Sequence, residues 1–82
     1  MIEVAAFLEI LGAVGAAVII VCYFMNQQGW LGSNSARYLL ANAFGAGCIL
    51  LSLVAEWNLP SAIIEGFWLL ISLYGLGRLA RR

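Results

Sequence analysis

In this 82-residue chain, the residues best suited to exchange a proton or bind a cation are glutamates. Glu65 and Glu9 each interrupt an apolar stretch, where a carboxyl group at membrane depth costs roughly 2.5–3.5 kcal/mol. Such a group needs a partner, and in membrane segments it often marks a transport or ligand site. Ser52, Trp68 and Ser72 supply further polar groups on the apolar segments. The sequence therefore predicts a buried polar site or transport site at these five residues, and leaves open whether it holds helices together or handles a ligand.

The chain has few other residues that could catalyse a reaction or bind a metal ion. The chain has no His, so the commonest metal ligand and general base is missing. Cys22 and Cys48 lack the spacing of a metal or redox motif and are interpreted as small apolar residues. The four Arg balance the four Glu, which leaves no basic field for nucleic acid. We therefore expect no enzymatic activity, no cofactor, no metal site and no nucleic-acid partner.

The composition separates this chain from ordinary soluble domains. It is 65% apolar and 10% charged, whereas soluble domains average about 45–50% and about 25%. A soluble core of this size would bury only about 60% of the chain's surface and would leave much of the apolar excess in water. The composition predicts an integral membrane protein that contacts the lipid bilayer.

Three apolar segments are long enough to cross a bilayer, which takes about 20 helical residues. We predict one all-α domain over residues 1–82, a three-transmembrane-helix bundle with helices at about 6–25, 37–55 and 60–79. Ser35 is suited to cap the second helix, and Pro60 to stand in the first turn of the third. The short second connection predicts that the second and third helices form an antiparallel pair.

The arginines give the predicted orientation. All of them fall on the side shared by the first loop and the C-terminus, so the positive-inside rule puts the N-terminus outside and the C-terminus in the cytoplasm. The expected location is the inner (plasma) membrane, as a multi-pass protein. The predicted anchors at the membrane surface are Trp30, Trp57, Arg78, Arg81 and Arg82.

Small and polar residues recur at helical spacing on all three segments. Membrane helices associate through small residues that allow close backbone approach and through polar groups that need partners. We therefore expect the faces that carry these residues to meet inside the bundle, with Tyr23 extending the face of the first helix. The predicted packing residues are Gly12, Gly15, Ala16, Ala41, Asn42, Gly45 and Gly75.

The second and third helices carry the patterns Asn-x-x-Gly, from Asn42, and Glu-x-x-Trp-x-x-x-Ser-x-x-Gly, from Glu65. With these patterns, nearly the whole chain resembles a family of small, uncharacterised bacterial three-helix integral membrane proteins, which implies a topology rather than an activity. The layout is more distantly similar to SemiSWEET/PQ-loop transporters, which are homodimers of three-helix units around a central site. That resemblance puts Glu65 at the position of a substrate-binding Asn. The Pro-Gln pair of those transporters is absent, and Ile49 stands about where their sugar-stacking Trp would be.

These features support two functional hypotheses. The first is a noncatalytic small integral membrane protein that forms homo-oligomers or serves as an accessory or structural subunit of a larger membrane complex, for example a respiratory or photosynthetic one. Its partners would be lipid, further copies of itself or other membrane subunits. The alternative is a homodimeric SemiSWEET-like half-transporter in which Glu65 lines a central substrate or proton path.

Overall fold

The computed structural model describes residues 2–81, and it is all-α, as the sequence predicts. Helix α1 spans Ile2–Gln27, α2 spans Ala36–Ser52 and α3 spans Leu59–Ala80. Helix α1 extends beyond the predicted segment 6–25 at both ends, because hydropathy identifies only the apolar part of a helix whose ends carry polar residues. Arg82, one of the predicted anchors, lies outside the described residues.

Polar caps fix the starts of α2 and α3. The Ser35 hydroxyl accepts a hydrogen bond from the Tyr38 backbone N–H at 3.2 Å, so Ser35 caps α2 as predicted. The Asn58 side chain accepts from the Ser61 backbone N–H at 2.9 Å, and Pro60 lies in the first turn of α3, where no N–H is required of it. These caps satisfy helix N–H groups that would otherwise lack partners.

Helix α2 ends at Ser52, earlier than the predicted residue 55. Beyond it the chain tightens, because Val54 N–H bonds to Leu51 O and Ala55 N–H to Ser52 O, both at 3.1 Å. These bonds reach back three residues rather than four, as in the 3₁₀ turns that often close α-helices. The apolar run therefore extends past the end of the helix.

Helix α2 is the central element. Gly15 of α1 lies against Gly45 of α2, and Trp68 of α3 bonds to Asn42 of α2; both pairs of helices are antiparallel. In the described part of the chain, no Cα atom of α1 lies within 8 Å of a Cα atom of α3. The expectation that the three helical faces meet is therefore wrong. Helix α2 carries small or polar residues on two sides, and each side receives one neighbour.

Most of the apolar surface points away from the chain. Helices α1 and α3 are long and apolar enough to cross a membrane, and only 6% of each apolar window is buried inside the chain. The core helix of a soluble protein would be mostly buried. Helix α2, with 17 residues, is apolar but shorter than the about 20 residues of a typical span. Length and composition therefore support two membrane-spanning helices; the third span and the orientation stay predictions.

Candidate functional site

One hydrogen-bonded pair joins α2 to α3. The Trp68 indole Nε1 donates to the Asn42 side-chain oxygen at 2.9 Å, and the Asn42 amide nitrogen donates to the Tyr38 carbonyl at 2.8 Å. Asn42 is only 2% exposed, so both bonds lie in a water-poor environment where an unpaired polar group is costly. The pair therefore fixes the orientation of the indole against α2.

Glu65 lies on the same face of α3 as this pair. The spacing of Glu65, Trp68 and Ser72 follows the helical repeat, and Trp68 contacts α2. The Oε1 atom of Glu65 is buried and has no hydrogen-bond partner among the described residues. Glu9 stands on α1, which does not pack on α3. The structure thus leaves one carboxyl oxygen of Glu65 without a partner inside the chain.

A cleft beside the C-terminal end of α2 contains two of the other glutamates, Glu9 and Glu56. This acidic cleft, defined by Glu9, Ser52, Glu56, Trp57 and Ser61, has a volume of about 470 Å³. The Ser52 hydroxyl in its wall donates to the Ile49 carbonyl at 2.6 Å. The structure therefore separates the predicted polar site. Glu9 and Ser52 line this cleft, whereas Trp68 and Ser72 lie elsewhere.

A second cavity opens between α2 and α3 at the other end of α2. This basic groove has a volume of about 400 Å³. Its defining residues are Ser33, Leu39, Trp68, Ile71, Ser72 and Arg78. The Arg78 guanidinium lies 6.0 Å from the centre of the Tyr74 ring, within reach of a cation–π interaction. A cation at one end and apolar walls along the length suit an amphiphilic molecule with a negative group.

The sequence predicts Arg78 as an anchor and groups Trp68 and Ser72 with Glu65, and it does not predict the groove. The missing information was which residues of α2 oppose them. Tyr38 and Leu39 also line the groove, and the pairing of Asn42 with Trp68 brings them opposite α3. Polar residues at the start of α2 and the end of α3 are a signal for this groove in the sequence. The sequence does not show which residues of the two helices face each other.

Close helix packing depends on four of the predicted small residues. A Cβ atom on Gly12, Gly15 or Gly45 would lie within 3.0 Å of an atom on the opposing helix, and one on Gly75 would lie 3.1 Å from Leu39. Ala16 lines the acidic cleft, and Ala41 is half-buried on α2. These glycines allow the α1–α2 and α2–α3 backbones to approach closely.

The face of α1 that packs on α2 differs by about one residue from the predicted face, which includes Ala16 and Tyr23. Gly15 and Cys22 are buried, whereas Tyr23 is 55% exposed. The steps from Gly12 to Gly15, Ile19 and Cys22 alternate three and four residues, which is the seam typical of left-handed helix packing. The prediction that Tyr23 belongs to this face is wrong, because the buried seam runs through Gly15 and Cys22, and Tyr23 lies beside it.

The predicted anchors lie at the ends of the helices. Trp30 and Trp57 are exposed in the two connections, and the Trp30 ring meets Phe24 edge to face with centroids 6.0 Å apart. Arg81 closes the end of α3, one turn beyond Arg78. These exposed positions are compatible with anchoring and do not test it.

The described residues contain no group of three His, Cys, Asp or Glu side chains that could hold a metal ion. No curated protein matches the chain. No solved structure matches it, so the SemiSWEET-like layout gains no support from a known fold. A family model does match, over residues 8–82. Because this stretch is nearly the whole chain, the protein belongs to that uncharacterised family.

Proposed function

We propose that this protein is a noncatalytic integral membrane protein that acts by assembling with further copies of itself or with subunits of a larger membrane complex. The observation that carries the proposal is the unpaired Oε1 of Glu65 on a helix that packs on only one neighbour. Helix α3 is bound to α2 and not to α1, so it has room for another helix. Glu65 as a whole is only half-buried, so a partner helix on the open side of α3 would reach its carboxyl group and supply a donor that the chain itself lacks.

The membrane setting makes this assignment physically reasonable. Apolar side chains gain little by leaving lipid for protein, so membrane helices associate through small residues and polar contacts. The chain uses most of its close-packing glycines internally, but Gly47 and Gly66 meet nothing within 4 Å. An oligomer could therefore combine close approach with a hydrogen bond to Glu65. Each such bond contributes about 0.6 kcal/mol on average and up to about 1.7 kcal/mol.

The proposed placement has three spans in the inner (plasma) membrane, with the N-terminus outside. The antiparallel order supports it, since the start of α2 and the end of α3 lie at the same end of the molecule. Arg37, Arg78 and Arg81 belong to that end, while Glu3 and Glu56 belong to the other. Positive charge then lies on the cytoplasmic side.

The test is the mass of the protein after purification in mild detergent, with Glu65→Leu as the main variant. We expect an oligomer or a co-purifying membrane subunit, and a loss of about fivefold in association for Glu65→Leu if one hydrogen bond of about 1 kcal/mol is removed. Glu56→Leu is the matched control, because it makes the same substitution at a glutamate that is exposed in the turn before α3.

Two results would count against assembly. A wild-type monomer without co-purifying subunits removes the basis of the proposal. Glu65→Leu could instead raise stability and leave association unchanged, which would mean that Glu65 stays unpaired and that a leucine simply relieves the burial of a polar group.

The second candidate, a homodimeric half-transporter, uses the same carboxyl group. Glu65 is half-buried, and its Oε1 has no hydrogen-bond partner among the described residues. Its carboxyl group could therefore exchange a proton or contact a substrate, and transporter sites of this kind lie between repeated units. The test is proton flux into vesicles that contain the wild type, Glu65→Gln or the control Glu56→Gln. Loss of flux in Glu65→Gln alone would favour transport, and equal flux in all three would exclude a role for this carboxyl.

A further inference from the structure

We propose that the basic groove binds one anionic phospholipid, with its phosphate on Arg78 and one acyl chain lying between α2 and α3. The proposal rests on the membrane location in the proposed function but not on assembly. It assigns a ligand to a cavity that the hypotheses of oligomer and transporter leave unused. The charge at the mouth, the polarity along the groove and the length of the groove all suit such a lipid.

The mouth of the groove is suited to a phosphate. Arg78 supplies a planar guanidinium, a group that binds phosphate through paired hydrogen bonds. Ser33 and Asn34 of the first loop line the same end and add polar groups. None of the glutamates lines the groove, so no carboxylate competes with an anion there. The Tyr74 ring beneath Arg78 keeps the cation at the mouth.

Away from the mouth, the groove becomes apolar. Leu39 and Ile71 form its walls, and Trp68 closes the far end. The hydrogen bond to Asn42 holds the indole in place at 2.9 Å, while 39% of the Trp68 surface stays exposed. Gly75 forms the floor, where α3 packs closely against Leu39, since a Cβ there would lie 3.1 Å from the Leu39 side chain. A free phosphate would use only the mouth, whereas a lipid uses the whole groove.

The length of the groove agrees with one leaflet of a bilayer. Arg78 and Trp68 are ten residues apart on α3, which corresponds to about 15 Å along a helix. Half of the about 30 Å hydrocarbon core is the same length. A phosphate at Arg78 therefore places the chain alongside Leu39 and Ile71 and its end near Trp68.

Quenching of Trp68 by brominated lipid tests the proposal. A background with Trp30→Phe and Trp57→Phe removes the two exposed loop indoles, so that fluorescence reports on Trp68. The protein is reconstituted in phosphatidylcholine vesicles that contain equal fractions of brominated phosphatidylglycerol or brominated phosphatidylcholine. We expect stronger quenching by the phosphatidylglycerol. Both variants lose the general attraction of one arginine for an anionic surface. Arg78→Gln should lower the preference by about fivefold more than Arg37→Gln does, because only Arg78→Gln also loses the hydrogen bond between guanidinium and phosphate.

Arg37→Gln is the matched control, since it removes the same charge at the same end of the molecule without altering the groove. Equal quenching by both lipids, or an equal loss in the two arginine variants, would overturn the proposal. Displacement of brominated phosphatidylglycerol by inorganic phosphate alone would also overturn it, by assigning the mouth to a free anion. The oligomeric state is measured separately, so failure of this test leaves the assembly proposal intact.

Discussion

The contact between Gly15 and Gly45 gives the sharpest prediction about the fold. A Cβ atom on Gly15 would lie 2.5 Å from the Gly45 carbonyl oxygen and 2.8 Å from Cys48 Cβ. A backbone carbonyl within a helix cannot rotate away as the end of a flexible side chain can. Gly15→Ala must therefore push α1 away from α2, and the packed seam between them must open.

The size of this effect follows from two opposing terms. Overpacking of a well-packed contact costs about 1–3 kcal/mol, whereas Ala in place of Gly in a helix interior gains about 1 kcal/mol. Gly47→Ala provides the control, because Gly47 lies within α2 and a Cβ there meets nothing within 4 Å. The propensity gain is common to both variants. We therefore expect Gly15→Ala to be less stable than Gly47→Ala by about 1–3 kcal/mol.

The assay is unfolding in mixed detergent micelles with increasing SDS, followed by far-UV circular dichroism. Gly47→Ala should unfold at or above the wild-type midpoint and Gly15→Ala below it, with similar transition slopes. Coincident curves for the two variants would refute the close approach of α1 and α2 at Gly15. A lower midpoint for Gly47→Ala would instead show that an unpacked face of α2 is covered by another helix.

Three further predictions concern the hydrogen bonds and the first loop. Asn42→Leu should lower the free energy of unfolding by about 1–3 kcal/mol, because it leaves the Trp68 N–H unpaired; adding Trp68→Phe should recover part of that loss in a double-mutant cycle, and simple additivity would contradict the bond. Ser35→Ala should lower the free energy of unfolding by about 0.5–2 kcal/mol, because it removes the N-cap of α2. SDS unfolding measures this change, and an unchanged midpoint would mean that the cap is not formed. Gly29→Ala should cost about 1–2 kcal/mol because Gly29 has a φ of 81°, whereas Gly32→Ala, which meets nothing within 4 Å, should change the midpoint little.

The local features of the fold were accessible from the sequence. Three apolar segments, a Ser at the start of α2 and a Pro in the first turn of α3 each act through neighbouring residues in the chain. What the sequence lacked was the direction in which each face points. The buried residues of α1 include Gly15 and Cys22, and not the predicted Tyr23, because the position of α2 decides which residues are covered.

The candidate sites were harder to predict because they depend on register between helices. Glu65 stood out from its residue type alone, and Asn42 and Trp68 each stood out as polar groups in apolar segments. Nothing in the sequence showed that Asn42 opposes Trp68, and that pairing is what brings the first loop next to Arg78. The sequence groups Glu9 and Ser52 with Glu65 in one polar site, whereas in the structure these two residues line the acidic cleft and Glu65 does not.

The short central helix explains where the basic groove and the acidic cleft lie. At about 1.5 Å per residue, α1 is about 39 Å long with 26 residues and α2 about 26 Å long with 17 residues. The longer helices extend beyond α2, so the space at its ends is left to the connecting segments. Ser33 of the first connection lines the basic groove, and Trp57 of the second lines the acidic cleft. Lengthening α2 by one turn at its C-terminal end should therefore close the acidic cleft while leaving the basic groove and its lipid preference unchanged.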